Sequence, residues 1–148
     1  MTNFTYFRPE GSDLTLVGNG NREEEADPDA YNPRASMDYV QDVWSRLAKR
    51  IPGIEDAEYF TGYAGLYTST PDLHPVMDRV DGIDGLYICT GFSGHGFKLS
   101  PAVGIVMAEL ILDNLDSRET SIDISSLRMS RFAEGDLNTT TYAFKVIA

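Results

Sequence analysis

Cysteine is almost missing from this chain: Cys89 is the single thiol in 148 residues. One thiol rules out an internal disulfide and suits a reducing compartment, so a cytoplasmic location is expected. Long apolar runs are missing too. No stretch approaches the roughly 20 residues that cross a bilayer, so no membrane span is expected. The opening Met1-Thr2-Asn3-Phe4-Thr5-Tyr6 lacks the basic and apolar regions of a secretory signal. Positive charge is scarce: 12 Lys and Arg face 23 Asp and Glu, a formal net charge of −11. Phosphate backbones demand clustered cations, which argues against nucleic acid as a partner. Metal-ligand spacing is absent as well. Asp72, His74, Asp78 and His95 fit neither a helix nor a knuckle pattern and read as turn chemistry, so no metal is expected. Glu23-Glu24-Glu25 lacks the spaced ligands and central glycine of a calcium loop and reads as solvated. Ser93 has no G-x-S-x-G context, which sets hydrolase chemistry aside.

What remains is enough for one domain with a modest core, at an ordinary 42% hydrophobic content. The most informative stretch is Thr90-Gly91-Phe92-Ser93-Gly94-His95-Gly96-Phe97-Lys98-Leu99-Ser100-Pro101. Before it, Leu86-Tyr87-Ile88-Cys89 reads as a short buried strand, because a continuous apolar run offers water no polar face. After it, Val103, Val106, Met107, Leu110 and Ile111 form one face of a helix. Ser100 suits the cap of that helix and Pro101 its first turn. A strand, a glycine turn and a helix start can make an anion site at the carboxyl end of the strand. The spacing is G-x-x-G-x-G, and no acidic residue follows at about twenty residues, so it is not the usual dinucleotide fingerprint. Gly94 and Gly96 carry no Cβ and let the backbone approach a ligand face, while His95 and Lys98 supply polar reach. The combination suits a flat, electron-rich ring that gains negative charge. It also suits tight packing of a loop under a helix, and the residues alone leave both open.

Elsewhere the pattern is coarser. Residues 5–8 and 14–17 read as two strands joined by a Pro- and Gly-containing turn. A helix is expected over 37–50, with Val40, Val43, Trp44 and Leu47 inward and Arg46, Lys49 and Arg50 in its last turn. Residues 57–68 read as one strand, or two with a kink at Gly62, and 76–80 as another. Residues 114–121 read as a connector, 122–132 as a surface clamp returning over the sheet, and 139–146 as a last strand. The fold class expected is α+β, a mostly antiparallel sheet with a strand–turn–helix piece beside it.

Two segments together carry a resemblance. Tyr63-Ala64-Gly65-Leu66-Tyr67-Thr68-Ser69-Thr70-Pro71-Asp72-Leu73-His74-Pro75-Val76-Met77-Asp78, followed by Gly85-Leu86-Tyr87-Ile88-Cys89-Thr90-Gly91-Phe92-Ser93-Gly94-His95-Gly96-Phe97-Lys98, resembles the C-terminal part of the FAD-dependent amine and amino-acid oxidoreductases. That group holds the sarcosine oxidases, glycine oxidases and D-amino-acid dehydrogenases, and the sarcosine-oxidase branch is the nearest in pattern. Both motifs stand in order and at the right separation, and the likeness extends more loosely from about Tyr6 to Arg131.

The resemblance implies a cofactor, FAD, with Gly65, Gly91, Phe92, Ser93, Gly94, His95, Gly96, Phe97 and Lys98 at its isoalloxazine. It implies a small amine or amino-acid substrate oxidised to an imine. Lys98 would contact the substrate carboxylate, and Tyr67 would line the substrate side. Family members with a covalent flavin carry cysteine where this chain has Gly65, so any flavin here is expected to be non-covalent. Cys89, in the expected buried strand, is given a small apolar role. In family terms, residues 1–75 match part of a substrate-binding domain, 76–132 the C-terminal segment of an FAD-binding domain, and 133–148 a tail or strand. The ADP-binding fingerprint has no counterpart: Gly18-Asn19-Gly20 lacks a third glycine and sits beside Glu23–Glu25. The expectation is therefore a truncated or split piece that alone binds FAD weakly or not at all. The alternative is a catalytically silent interaction module. Either way, surfaces left apolar would call for a homo-oligomer or a partner subunit.

Overall fold

Two short runs on either side of a tight turn build the first element pair. In the computed structural model, which describes residues 5–19, 24–112 and 120–138, β1 (Thr5–Glu10) and β2 (Leu14–Asn19) form an antiparallel hairpin with Tyr6 opposite Gly18. The turn needs Gly11, whose φ is +65°. Gly18 is required by its partner: a β-carbon there would fall 2.1 Å from the Tyr6 ring, which lies across the bare backbone.

Helix α1 (Met37–Leu47) opens on Ser36, whose Oγ accepts the Tyr39 N–H at 3.2 Å. Val40, Val43 and Leu47 are buried along one stripe, and Arg46 pairs with Asp42 one turn back. The helix ends three residues short of the expected Arg50. Residues 57–68 do not form the expected strand. They make one isolated bridge, Arg34 with Tyr63, and the Ala64 N–H donates to the Pro33 carbonyl. β-propensity needs a paired edge to be realised, and among the described residues no second strand runs beside this segment.

The described residues divide into two compact units between Leu66 and Tyr67. The second is built on β3 (Val76–Arg79) and β4 (Tyr87–Thr90), an antiparallel pair with Met77 opposite Cys89. The expected strand at Leu86 is present, shifted by one residue, but it is not buried. Tyr87 and Ile88 are half-buried, and Cys89 and Thr90 are exposed. One neighbouring strand and one helix layer do not cover both faces of a strand. Helix α2 (Gly96–Leu112) supplies that layer, with Val106 and Leu110 each 2% exposed against Met77 and Ile124.

Helix α2 starts one turn earlier than expected, so Pro101 lies inside it. Proline has no N–H for the Phe97 carbonyl four residues back. The Ser100 hydroxyl donates to that carbonyl instead, at 2.9 Å. Ser100 is thus a repair of the proline gap and not the expected N-cap.

The expected surface clamp at 122–132 does return over β3, but it enters the core. Ile124 is buried, Leu127 packs beside it, and Arg131, on the short helix α3 (Arg131–Glu134), is fully buried. The expected strand at 139–146 and most of the 114–121 connector lie outside the described residues. The α+β class stands: helices beside antiparallel hairpins. Among the described residues no helix is long and apolar enough to cross a membrane.

Candidate functional site

The turn between β4 and α2 is held in a shape that only certain residues can take. Gly91, Ser93 and Gly94 all have positive φ, at +71°, +50° and +89°. Ser93 is the exception to the glycine rule, since the left-handed region costs an L-residue about 1–2 kcal/mol. Its side chain explains its presence. At 1% exposure, Ser93 donates its Oγ proton to the Gly91 carbonyl at 3.2 Å and accepts the Thr70 N–H at 3.4 Å. The Ser93 N–H donates to the Thr68 carbonyl at 3.0 Å. Two bonds therefore lace the segment 68–70 to the turn, and the third closes the turn on itself.

Gly91 and Gly96 are sites of close approach. A β-carbon at Gly91 would stand 2.5 Å from Thr70 Cγ2, and one at Gly96 would stand 3.2 Å from Phe92. The Phe92 ring packs towards the core, while Phe97, one residue into the helix, is 95% exposed. Lys98 is exposed in the same helical turn. The His95 N–H donates to the Phe92 carbonyl at 2.8 Å, and His95 Nδ1 lies 3.2 Å from that oxygen. Tyr67, which begins the second unit, is half-exposed one residue before the Thr68 carbonyl that Ser93 bonds. Gly65 belongs to the first unit, where a β-carbon would meet nothing within 4 Å. The structure thus joins Tyr67 to the residues of the 91–98 turn within one unit.

The outward side of this turn is mostly backbone. Phe92 and Ser93 point in, Gly94 and Gly96 have no side chains, and the helix begins at once. The N–H groups of a first helical turn find no carbonyl in their own helix and carry the positive end of its dipole. Such a surface fits a flat ring that accepts hydrogen bonds and negative charge. Among the described residues no group of three His, Cys, Asp or Glu is placed to hold a metal ion.

Behind the turn lies a cluster that sequence reasoning missed. Arg131, at 0% exposure, uses all five of its N–H donors. Nε donates to Asp72 Oδ2 at 2.8 Å and Nη2 to Asp72 Oδ1 at 3.0 Å. Nη2 also reaches the His74 carbonyl at 2.8 Å, and Nη1 reaches the Leu127 and Arg128 carbonyls at 3.1 and 3.0 Å. The Phe132 ring stacks 4.1 Å from the guanidinium. Asp72 Oδ1 also accepts the His74 N–H, and Oδ2 the Asn138 N–H. Burial pushes the Asp72 carboxyl up, but the Arg131 guanidinium, the His74 and Asn138 amides and the Thr70 hydroxyl outweigh it. Together they hold Asp72 well below the usual carboxylate range. Asp78, also buried, accepts the Met129 N–H at 2.9 Å and anchors the same returning segment. Asp72 was legible as a turn residue. Arg131 carried no local signal, since an arginine among apolar residues reads equally as a surface group.

With that geometry in view, the sequence profile described as FAD-dependent oxidoreductase (DAO) matches residues 2–110. The chain belongs to the FAD-dependent oxidoreductase family. It is 37% identical over 133 residues to "FAD-dependent oxidoreductase domain-containing protein 1" of Bos taurus, a match covering 88% of this chain and 27% of that protein. It is 34% identical over 113 residues to the peroxisomal sarcosine oxidase of Mus musculus, covering 74% of this chain and 28% of that protein. Among solved structures, L-proline dehydrogenase from P. horikoshii superposes with a TM-score of 0.76 at 30% identity, over 90% of this chain and 34% of that one. The chain thus spans about a quarter to a third of the length of these relatives. The resemblance drawn from the two motifs is borne out, and the family's cofactor is FAD. Its named relatives include amine and amino-acid oxidoreductases.

Proposed function

We propose that this chain contributes the flavin-facing turn of an FAD-dependent enzyme that oxidises a secondary amine or amino acid to an imine. The observation that carries the reading is the outward face of 91–98: a bare backbone turn pinned from behind by Ser93, opening into a helix start with Lys98 exposed beside it. When bound, FAD supplies the two-electron acceptor for cleavage of the C–H bond next to the amine nitrogen. Gly94 gives a ring plane room to approach, Gly96 is bare because Phe92 takes the place of its side chain, and the first turn of α2 presents N–H groups and positive dipole to developing negative charge. The Lys98 ammonium holds a substrate carboxylate, and the Tyr67 hydroxyl donates to the same group. The flavin is non-covalent, because Gly65 offers no thiol. Residues 1–75 belong with the substrate-binding part, and 76–132 with the FAD-binding part.

A second reading, an interaction module without catalysis, is favoured by one feature. Helix α2 keeps large apolar residues outside its core stripe, with Phe97, Leu112 and Ile105 at 95%, 78% and 58% exposure. A covering subunit or second copy would remove them from water.

The native protein carrying this chain, purified from its own cells, separates the two. The enzyme reading expects a flavin absorbance band, released to the filtrate on denaturation, and turnover of N-alkyl amino acids. Lys98→Met should raise KM at least tenfold for substrates with a carboxylate and leave amines without one unchanged. A colourless, tightly oligomeric preparation without turnover would refute the enzyme reading in favour of the module.

A further inference from the structure

We propose that Arg131 is a positioning residue for the 91–96 turn, acting through Asp72 and Thr70; the claim that it serves flavin binding rests on the function proposed above. The connection is continuous. Arg131 grips both Asp72 oxygens across 59 residues of sequence. Asp72 Oδ1 lies 3.1 Å from the Thr70 hydroxyl, whose oxygen is also 2.7 Å from the His74 carbonyl. That pair of acceptors fixes the Thr70 rotamer, and with it the Cγ2 methyl that occupies the space a Gly91 side chain would need. The Thr70 N–H reaches Ser93 Oγ, and the carbonyl of Thr68, two residues earlier, receives the Ser93 N–H. A charge on α3 is thereby linked to Gly91 and Ser93, two of the three turn residues whose positive φ values shape the cradle.

A stabilising role alone would not call for this construction. A buried ion pair is often no more stabilising than apolar residues of the same volume, because desolvation offsets the attraction. What the pair supplies is direction. The planar fork of arginine matches a carboxylate in one orientation and so orients the lone pairs that Thr70, His74 and Asn138 use. A leucine or methionine could fill the volume but could not aim Asp72. Lysine could keep the charge but not the fork.

The test is amide hydrogen exchange on the full chain, comparing Arg131→Lys with the parent. Exchange at the Ser93 amide should rise at least tenfold more than exchange at the β3 and β4 amides in the same unit. Uniform acceleration through the unit would mean that Arg131 only stabilises, and no change at Ser93 would mean that it does not reach the turn. Either result overturns the proposal. Should Arg131→Lys fail to fold, Thr70→Val cuts the same connection one link nearer the turn and carries the same expected and contrary outcomes. In the native flavin-loaded preparation, Arg131→Lys should also weaken FAD retention at least tenfold; unchanged retention overturns the role in flavin binding. If the parent holds no flavin, the functional reading fails, and the Ser93 exchange still decides whether Arg131 positions the turn.

Discussion

Replacing Gly91 with alanine separates two physical costs that usually arrive together. The first is conformational. At φ +71° an alanine sits in the left-handed region, at about 1–2 kcal/mol. The second is steric. The new methyl would lie 2.5 Å from Thr70 Cγ2, far inside van der Waals contact. Thr70 cannot simply rotate aside, because its hydroxyl is held at 2.7 Å from the His74 carbonyl. Forcing an extra methyl into such a site costs about 1–3 kcal/mol. Gly91→Ala should therefore destabilise the second unit by about 2–5 kcal/mol. Thr70→Ser removes the obstructing methyl and keeps the hydroxyl. Alone it should cost about 1 kcal/mol for the lost apolar group. In combination it should recover the steric part and leave the conformational part, so the two substitutions should couple by about 1–3 kcal/mol. The measure is the exchange free energy of the slowest β3 and β4 amides in a double-mutant cycle. Strict additivity would show that the Thr70 methyl is not the obstacle. A cost for Gly91→Ala below about 1 kcal/mol would show that the turn does not hold its left-handed geometry.

Two further expectations concern the helix and the buried carboxylate. Ser100→Ala should cost about 0.5–1.5 kcal/mol, because it strands the Phe97 carbonyl that Pro101 leaves without a donor. In a Pro101→Ala background, where a backbone N–H is restored, the same change should be close to neutral, and equal effects in both backgrounds in thermal unfolding would contradict the repair role. Asp72 has a folded-state pKa below its unfolded value, so its contribution is complete above about pH 4 and fades as pH falls through the folded pKa. The parent should lose up to about 1.4 kcal/mol per pH unit from this one group in that acid window. Asp72→Asn should be less stable at neutral pH and show a shallower acid limb in urea titrations between pH 2 and pH 5. An unaltered slope would mean that Asp72 is not the linked group.

Local chemistry made much of the fold legible. The β1–β2 hairpin follows from two short apolar-rich runs around a glycine turn, and α1 from a stripe at Val40, Val43 and Leu47. The motif at 91–98 was readable because glycines, a helix stripe and an apolar strand stand in sequence. Failures occurred where the outcome depended on partners. Among the described residues, 57–68 have strand composition but no strand beside them, only the Arg34–Tyr63 bridge, and Leu86–Cys89 have core composition but one helix layer over them. The start of α2 was misjudged because Pro101 is a helix-start signal by propensity. In the fold the helix begins at Gly96, and the Ser100 hydroxyl reaches back to the Phe97 carbonyl that Pro101 leaves without a donor.

The order of residues was sufficient for the α+β class, the family and the position of the glycine turn, because each depends on spacing along a short stretch of chain. The way the turn is held was decided only on folding. Arg131 and Asp72 lie 59 residues apart, as Ser93 and Thr70 lie 23 apart, and no local preference encodes which carboxylate a buried guanidinium meets. That choice is made when the returning segment brings Ile124 against Met77 and a charge entering the core must find its counterpart or remain unsolvated.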